Sequence, residues 1–386
     1  MRTTAIFSLA VPLIALMNPL QARGQQFGTV IEPDVGLSVP NPHSFQQSRS
    51  VCVDPVTGTT WVFYLKRMIG ADPEWRIVVR QSPSWSETLV VASPAPDFTI
   101  ACRPPQVWLG YADAHAMTIY MRKGTISAGV ITWSAPSLVA RFGLSFAAQT
   151  PSLAWLPDGR PVVAYWGNDQ AGFFRTMASV ATDTEGLSWS QPGVLARGGH
   201  VRQTGQPSVA VWGTDNTVVA LSFHDPSVLL NTWSRSLITS IIGPGWSRPV
   251  RVATNMARVS QVSGLTGRDG KAHLLYSAGG GAWYATLTPK GLSVPLRLGT
   301  TGEFEACMAV DGSDLVAVYG RIRFARIRNG QVMSTGQLFS LREKTQYLFT
   351  QCNEHVLNGQ LALAWTEGLS DQHAKIVTGI APLPAR

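Results

Sequence analysis

Charge is scarce in this chain. Only 14% of its 386 residues are Asp, Glu, Lys or Arg, and lysine is rarer still: 6 of the 31 basic residues, the other 25 being Arg. The Arg are scattered along the chain and do not gather in a basic tail, which argues against nucleic acid as a partner. Beyond Met17 no apolar stretch is long enough for a transmembrane helix. Sustained helical periodicity is rare, so little helix is expected. Gly-x-Ser-x-Gly, Walker, His-Glu-x-x-His and dinucleotide fingerprints are all missing, and no cofactor is expected. The four Cys (Cys52, Cys102, Cys307 and Cys352) have neither CxxC nor metal-ligand spacing, so no metal site is expected either.

What is present begins with a leader. Arg2 supplies a positive start, Ala5 to Met17 is an apolar run of signal-peptide length, and the small residues Ala22 and Gly24 follow. Residues 1–24 are read as a signal peptide and 25–386 as one exported domain, extracellular or periplasmic. Removing Arg2 and Arg23 takes the formal charge from +8 to about +6. In an exported chain an even number of Cys favours disulfides. Four Cys allow three connectivities, of which Cys52 with Cys102 and Cys307 with Cys352 is the simplest.

High Gly (36) and Pro (25) with 13 Trp suit many short strands and tight turns. A repeat bears this out. An apolar strand, a turn rich in Asp, Asn or Gly, and a second apolar strand ending in an aromatic recur along the chain. The second strands read 60–64, 116–120, 161–165, 218–223, 272–276, 315–319 and 360–365. Asp158-Gly159, Asp215-Asn216, Asp269-Gly270, Asp311-Gly312 and Asn358-Gly359 precede five of them as hairpin signals, in which a type I′ turn needs positive φ at both positions. The aromatics ending these strands lie about 43 to 58 residues apart, the spacing of propeller blades and not of solenoids. A second pattern, Trp-Ser-x-x or Trp-Ser-x-Pro at Trp85, Trp133, Trp189 and Trp246, marks the outermost strand, where Pro is tolerated. The fold class is therefore all-β, a β-propeller with seven blades favoured and six as the alternative. The seventh unit stops before its outer strand, so Thr29 to Val39 is expected to fill that place and close the ring.

Pro151-Ser152-Leu153-Ala154, Asp158-Gly159 and Thr182 to Trp189 (TDTEGLSW) together resemble the sialidase-like, BNR-repeat group of propellers. The last segment is similar to that group's Asp-box, Ser/Thr-x-Asp-x-Gly-x-Thr-Trp. Aligned on Gly186 and Trp189, the Asp position falls on Thr184, one place from Asp183. The resemblance implies the fold. It carries no catalytic set across.

Propeller sites usually lie around the axial channel, on loops that enter the inner strands and leave the second strands. On this reading Arg67, Arg103, Arg122, Arg202, Arg321 and Arg323, with Asp225, converge as an anion-binding set, because Arg suits bidentate capture of carboxylate-like groups. His224 is the candidate for proton transfer. Three functions are weighed. One is recognition of an acidic poly- or oligosaccharide through an Arg-lined central face. The others are a glycan-processing enzyme, lyase or sialidase-like hydrolase, and an extracellular propeller that binds a protein partner.

Overall fold

In a computed structural model the strands form because apolar residues alternate with, or run between, turn residues that reverse the chain every six to ten positions. The structure describes residues 26–35, 49–68, 74–93, 95, 97–113, 116–141, 149–168, 174–197, 208–212, 217–224, 236–242, 250–251, 259–267, 269–278, 280–288, 291–300, 306–342, 349–368 and 374–384. The expected signal peptide lies outside these residues. Among them, no helix is long and apolar enough to cross a membrane.

The described strands make seven antiparallel sheets of four or five strands, an all-β propeller. Six sheets are consecutive in the chain. The other joins Thr29–Glu32 to the last three strands, Thr350–Cys352, Gln360–Glu367 and Lys375–Pro382. In it Thr29 faces Thr378 and Val30 faces Val377. This last sheet is called the seventh below, and the sheet beginning at Val51 the first. The innermost strand of each sheet lies beside that of the next. The first sheet's Val51–Val53 neighbours the seventh sheet, so the set forms a ring.

The turns explain the repeat. Asp54, Asp158 and Asp269 each accept a hydrogen bond from the backbone N–H two residues on, at 3.0, 3.0 and 3.1 Å. These side chains cap the turn, so Asp158 and Asp269 do not take the positive φ expected of them. Only Asn358-Gly359 among the described hairpin signals has positive φ at both positions, 50° and 71°. The Ser of the Trp-Ser pattern is equally specific. Ser134 and Ser190, and Ser293 at the equivalent place after Leu292, each accept a hydrogen bond from the third strand, from the N–H of Lys123, Val180 and Thr286. Each also donates its own N–H back to the same residue. Pro136, Pro192 and Pro295 then stand immediately before the outer strands Ser137–Arg141, Gly193–Arg197 and Leu296–Thr300, where no ladder bond is lost.

One strand assignment is corrected. In the second sheet the second strand is Gln106–Asp113, and residues 116–120 belong largely to the third strand, Thr118–Ser127. Arg103 pairs with Gln106 across a Pro104-Pro105 turn. This unit turns on two prolines instead of Asp or Gly, so a search for Asx-Gly signals passes over it.

The core lies between sheets. Tyr64, Tyr165, Tyr276 and Trp365, aromatics from the second strands, are fully buried, as are Trp61 and Trp108. Two disulfides link innermost strands of neighbouring sheets: Cys52–Cys102 joins the first and second, Cys307–Cys352 the sixth and seventh. Elsewhere hydrogen bonds span the same gap. The Ser152 hydroxyl accepts from Val209 N–H, and the Ser208 hydroxyl from Gly264 N–H.

Candidate functional site

Four turns that leave the innermost strands, in the sixth, seventh, first and second sheets, meet beside the ring axis around a cavity of about 300 Å³. Val53, Val310 and Val356 give it apolar walls, and Arg103, Asn353 and His355 give it polar groups. Both disulfides brace this side of the ring, and Cys102 itself lines the cavity.

The polar residues are held by backbone pairing. Past Cys352 the seventh sheet's chain turns alongside the sixth. Val310 N–H donates to Glu354 O and Val356 N–H donates to Val310 O, both at 2.8 Å. Asn353 Nδ2 donates to His355 O at 2.8 Å, tightening the same turn. Glu354 is buried, at 5% exposure, and its Oε2 lies 3.0 Å from Arg49 Nη1. Arg49 Nη2 also donates to the carbonyl of Gly264 in the fifth sheet at 3.2 Å. Arg49 thus reaches from the first sheet to the fifth and the seventh across the axis. Burial pushes the Glu354 carboxyl up, but Arg49, His355 and Arg103 outweigh it and hold the group below its ordinary range, so it is ionised.

Arg103 closes the inner strand Asp97–Arg103, and its guanidinium lies 5.2 Å from the centre of the Trp155 ring. Trp155 in turn packs edge-on against Trp108, centroids 5.3 Å apart. Among the described residues the Arg103 guanidinium forms no hydrogen bond and no ion pair. Burial pushes this guanidinium down, Glu354 draws it up, and the like charge of Arg49 adds to the depression.

The remaining predicted residues are spread more widely than expected. Arg103 lies in the turn after its inner strand, at the opposite end from the loops that enter the inner strands. Arg122 sits on the third strand of the second sheet, where Nε donates to Ser134 O and Nη1 to Val90 O, with Trp133 beneath it. It ties the second sheet to the first. Arg67 ends a second strand, and its backbone N–H donates to Val35 O. Arg321 lies in the turn after Tyr319, at a positive φ of 54°, and Arg323 begins the strand Arg323–Arg328; both are exposed. His224 ends the strand Thr217–His224, and its side chain lies outside the described residues, as do Arg202 and Asp225. Asn353, Glu354 and His355 were not singled out by sequence. The available signal was the polar run Asn353-Glu354-His355, directly after an inner strand.

Two other ionisable clusters are spent on structure. Tyr64 Oη donates towards Glu32 and Glu87, each at 3.0 Å, while Lys66 and Arg80 bridge the same two carboxylates. Tyr64 is fully buried, and burial drives its hydroxyl pKa far up. The cluster fastens the N-terminal strand to the first sheet. His273 bonds Tyr284 through Nδ1 at 2.8 Å and Asp269 through Nε2 at 3.0 Å. Both His273 and Tyr284 are buried, so no substrate reaches that Tyr.

The Asp-box-like loop also resolves. Asp183 accepts the N–H of Leu187 and Ser188 at 3.1 and 3.2 Å and the Ser188 hydroxyl at 2.8 Å, and Trp189 Nε1 donates to Gly186 O. Asp183, not Thr184, organises the loop.

No protein-family model matches the chain, and no curated protein matches it. Solved structures do. A polysaccharide lyase, an ulvan lyase, is similar over 94% of this chain and 100% of its own, at a TM-score of 0.57 and 9% identity. The α-L-arabinanase of Penicillium chrysogenum, solved with arabinobiose, is similar over 92% and 98%, at 0.54 and 11%. A puromycin-hydrolysing peptidase of Mycobacterium tuberculosis is similar over 93% of this chain and 57% of its own, at 0.52 and 10%. At such identities the likeness establishes the propeller fold alone.

Proposed function

We propose that this protein is an exported propeller of seven blades, one per sheet, that recognises an acidic glycan at the axial cavity. The observation that carries this reading is Arg103: a guanidinium at the cavity wall, over the Trp155 ring, with no hydrogen-bonded anion of its own. A flat cation set on an aromatic ring is a ready partner for a carboxylate or sulfate. Two of the similar structures are a polysaccharide lyase and an arabinanase, which supports a carbohydrate ligand. The two disulfides agree with export.

A processing enzyme is the second reading, favoured by His355 lining the same cavity as Arg103. A base beside a cation that neutralises a carboxylate is what β-elimination next to that carboxylate requires. A glycan array on the mature protein tests both readings, with released products followed by ultraviolet absorbance for an unsaturated sugar and by a reducing-end assay. Binding to uronate or sulfated glycans that Arg103→Ala abolishes is the expected result. An unsaturated product lost in His355→Ala moves the assignment to lyase. Binding to no glycan overturns the reading.

A further inference from the structure

We infer that the axial cavity is blind and reads a chain end: it takes one terminal sugar carrying a single oxyanion, and does not let a glycan thread along the ring axis. This rests on the carbohydrate reading above and names its ligand.

Three observations carry it. The first is closure. Arg49 lies across the axis as a strut, fixed at 3.2 Å to Gly264 O on one side and at 3.0 Å to Glu354 on the other. Both charged side chains are nearly buried, at 15% and 6% exposure. Displacing either would strand its partner's charge in a poorly solvated place, so the strut stays. An axial channel closed in this way has a floor.

The second is size. A cavity of about 300 Å³ is at the small end of the range for ligand sites, and it suits one sugar ring far better than a run of them.

The third is charge. Arg49 and Arg103 bring two positive charges, and ionised Glu354 removes one. Among these three groups one positive charge is left over, and the side chain that lacks a hydrogen-bonding partner is Arg103. One oxyanion balances it. A second would stand uncompensated near Glu354. The carboxylate of a uronate and a sulfate ester share this chemistry. Trp155 flanks the guanidinium, its ring centre 5.2 Å from the guanidinium carbon, and the fork can offer two hydrogen bonds to one oxyanion.

Stoichiometry is the direct test. The full mature protein is titrated calorimetrically with short and long oligoglucuronates, with the same oligomers after reduction of their carboxyl groups to neutral sugars, and with an O-sulfated neutral oligosaccharide. End reading requires that no more than one protein binds per chain end, however long the chain, at an affinity independent of length. Carboxyl reduction and Arg103→Ala should each weaken binding roughly tenfold to a hundredfold, the range for a lost charge-assisted pair. Unchanged melting of the variant keeps a folding defect apart from a binding one. Tighter binding of the sulfated probe than of the uronate assigns the oxyanion to sulfate. Several proteins per long chain, or no loss on neutralisation, overturns the inference while leaving glycan binding intact. Failure of every glycan to bind overturns this inference and the carbohydrate reading together.

Discussion

Arg49 and Glu354 meet beside the ring axis with Nη1 3.0 Å from Oε2, joining the first sheet to the seventh. Both belong to chain segments beside innermost strands, and the pair is shielded from water. Breaking one side of a buried pair costs about 3–5 kcal/mol, because the remaining charge is left uncompensated. Glu354→Gln should therefore lower the melting temperature sharply. Arg49→Met combined with Glu354→Gln should recover part of that loss, giving a clear coupling in a double-mutant cycle. Independent, additive effects of the two substitutions would mean that the contact carries no energy.

The disulfides stand on both sides of the cavity wall. Their loops span 50 and 45 residues, for which the chain-entropy picture gives about 4 kcal/mol each. Mild reduction should lower the melting temperature in two separable steps, one lost in Cys52→Ser with Cys102→Ser and the other in Cys307→Ser with Cys352→Ser. The first pair should also weaken oligoglucuronate binding, since Cys102 lines the cavity beside Arg103. Binding unaltered by full reduction would show that the wall keeps its shape without them.

Acid should loosen the N-terminal strand first. Burial pushes the Glu32 carboxyl up, but the hydrogen bonds and charges of Lys66 and Arg80, with Tyr64, bring it down from 4.5 to about 2. A carboxyl depressed on folding stabilises fully above its unfolded pKa and loses that contribution as the pH falls through the folded one. The window therefore runs from about 4.5 down to about 2, and the contribution is on the order of 3 kcal/mol. Melting temperature against pH should fall across that window in the wild type and stay flatter in Glu32→Gln, which begins lower at neutral pH. Equal slopes would place the acid sensitivity elsewhere.

Much of the ring could be read from the sequence because its cause is local. A hairpin needs a capped turn and a buried second strand, and Asp158, Asp269 and Tyr165 declare both within a few residues. The Trp-Ser signal works for the same reason: Ser134 and Ser190 hold the third strand from a fixed distance along the chain. The second sheet escaped because Pro104-Pro105 makes its turn without either signal. The axial site was harder to see. Its members come from turns at opposite ends of the chain, and nothing local states that Arg103 faces the turn after Cys352. Arg103 was selected for its charge, with a position assigned from the wrong end of its strand. Glu354, buried beside the cavity, gave no sign beyond being one polar residue in a polar turn.

The Asp-box-like loop and the axial cavity are mechanically connected, and Gly186 is the place to test it. Asp183 and the Trp189 indole fix the loop, and Gly186, at a φ of 63°, lies against the Trp108 ring. A Cβ at this position would come within 2.5 Å of the Trp108 ring, and a side chain is also strained at that φ. Trp108 is fully buried, with Trp155 against its edge, and Trp155 carries Arg103. Close-packed interiors pass on such a displacement instead of absorbing it. Gly186→Ala should therefore destabilise the protein by about 1–3 kcal/mol, the usual range for overpacking, and also weaken oligoglucuronate binding although residue 186 does not line the cavity. Asp183→Ala is the control. It removes three hydrogen bonds within an exposed loop without pushing on Trp108, so it should cost stability and leave affinity unchanged. If both variants lose stability and neither loses affinity, Trp155 is not what holds the Arg103 guanidinium in place.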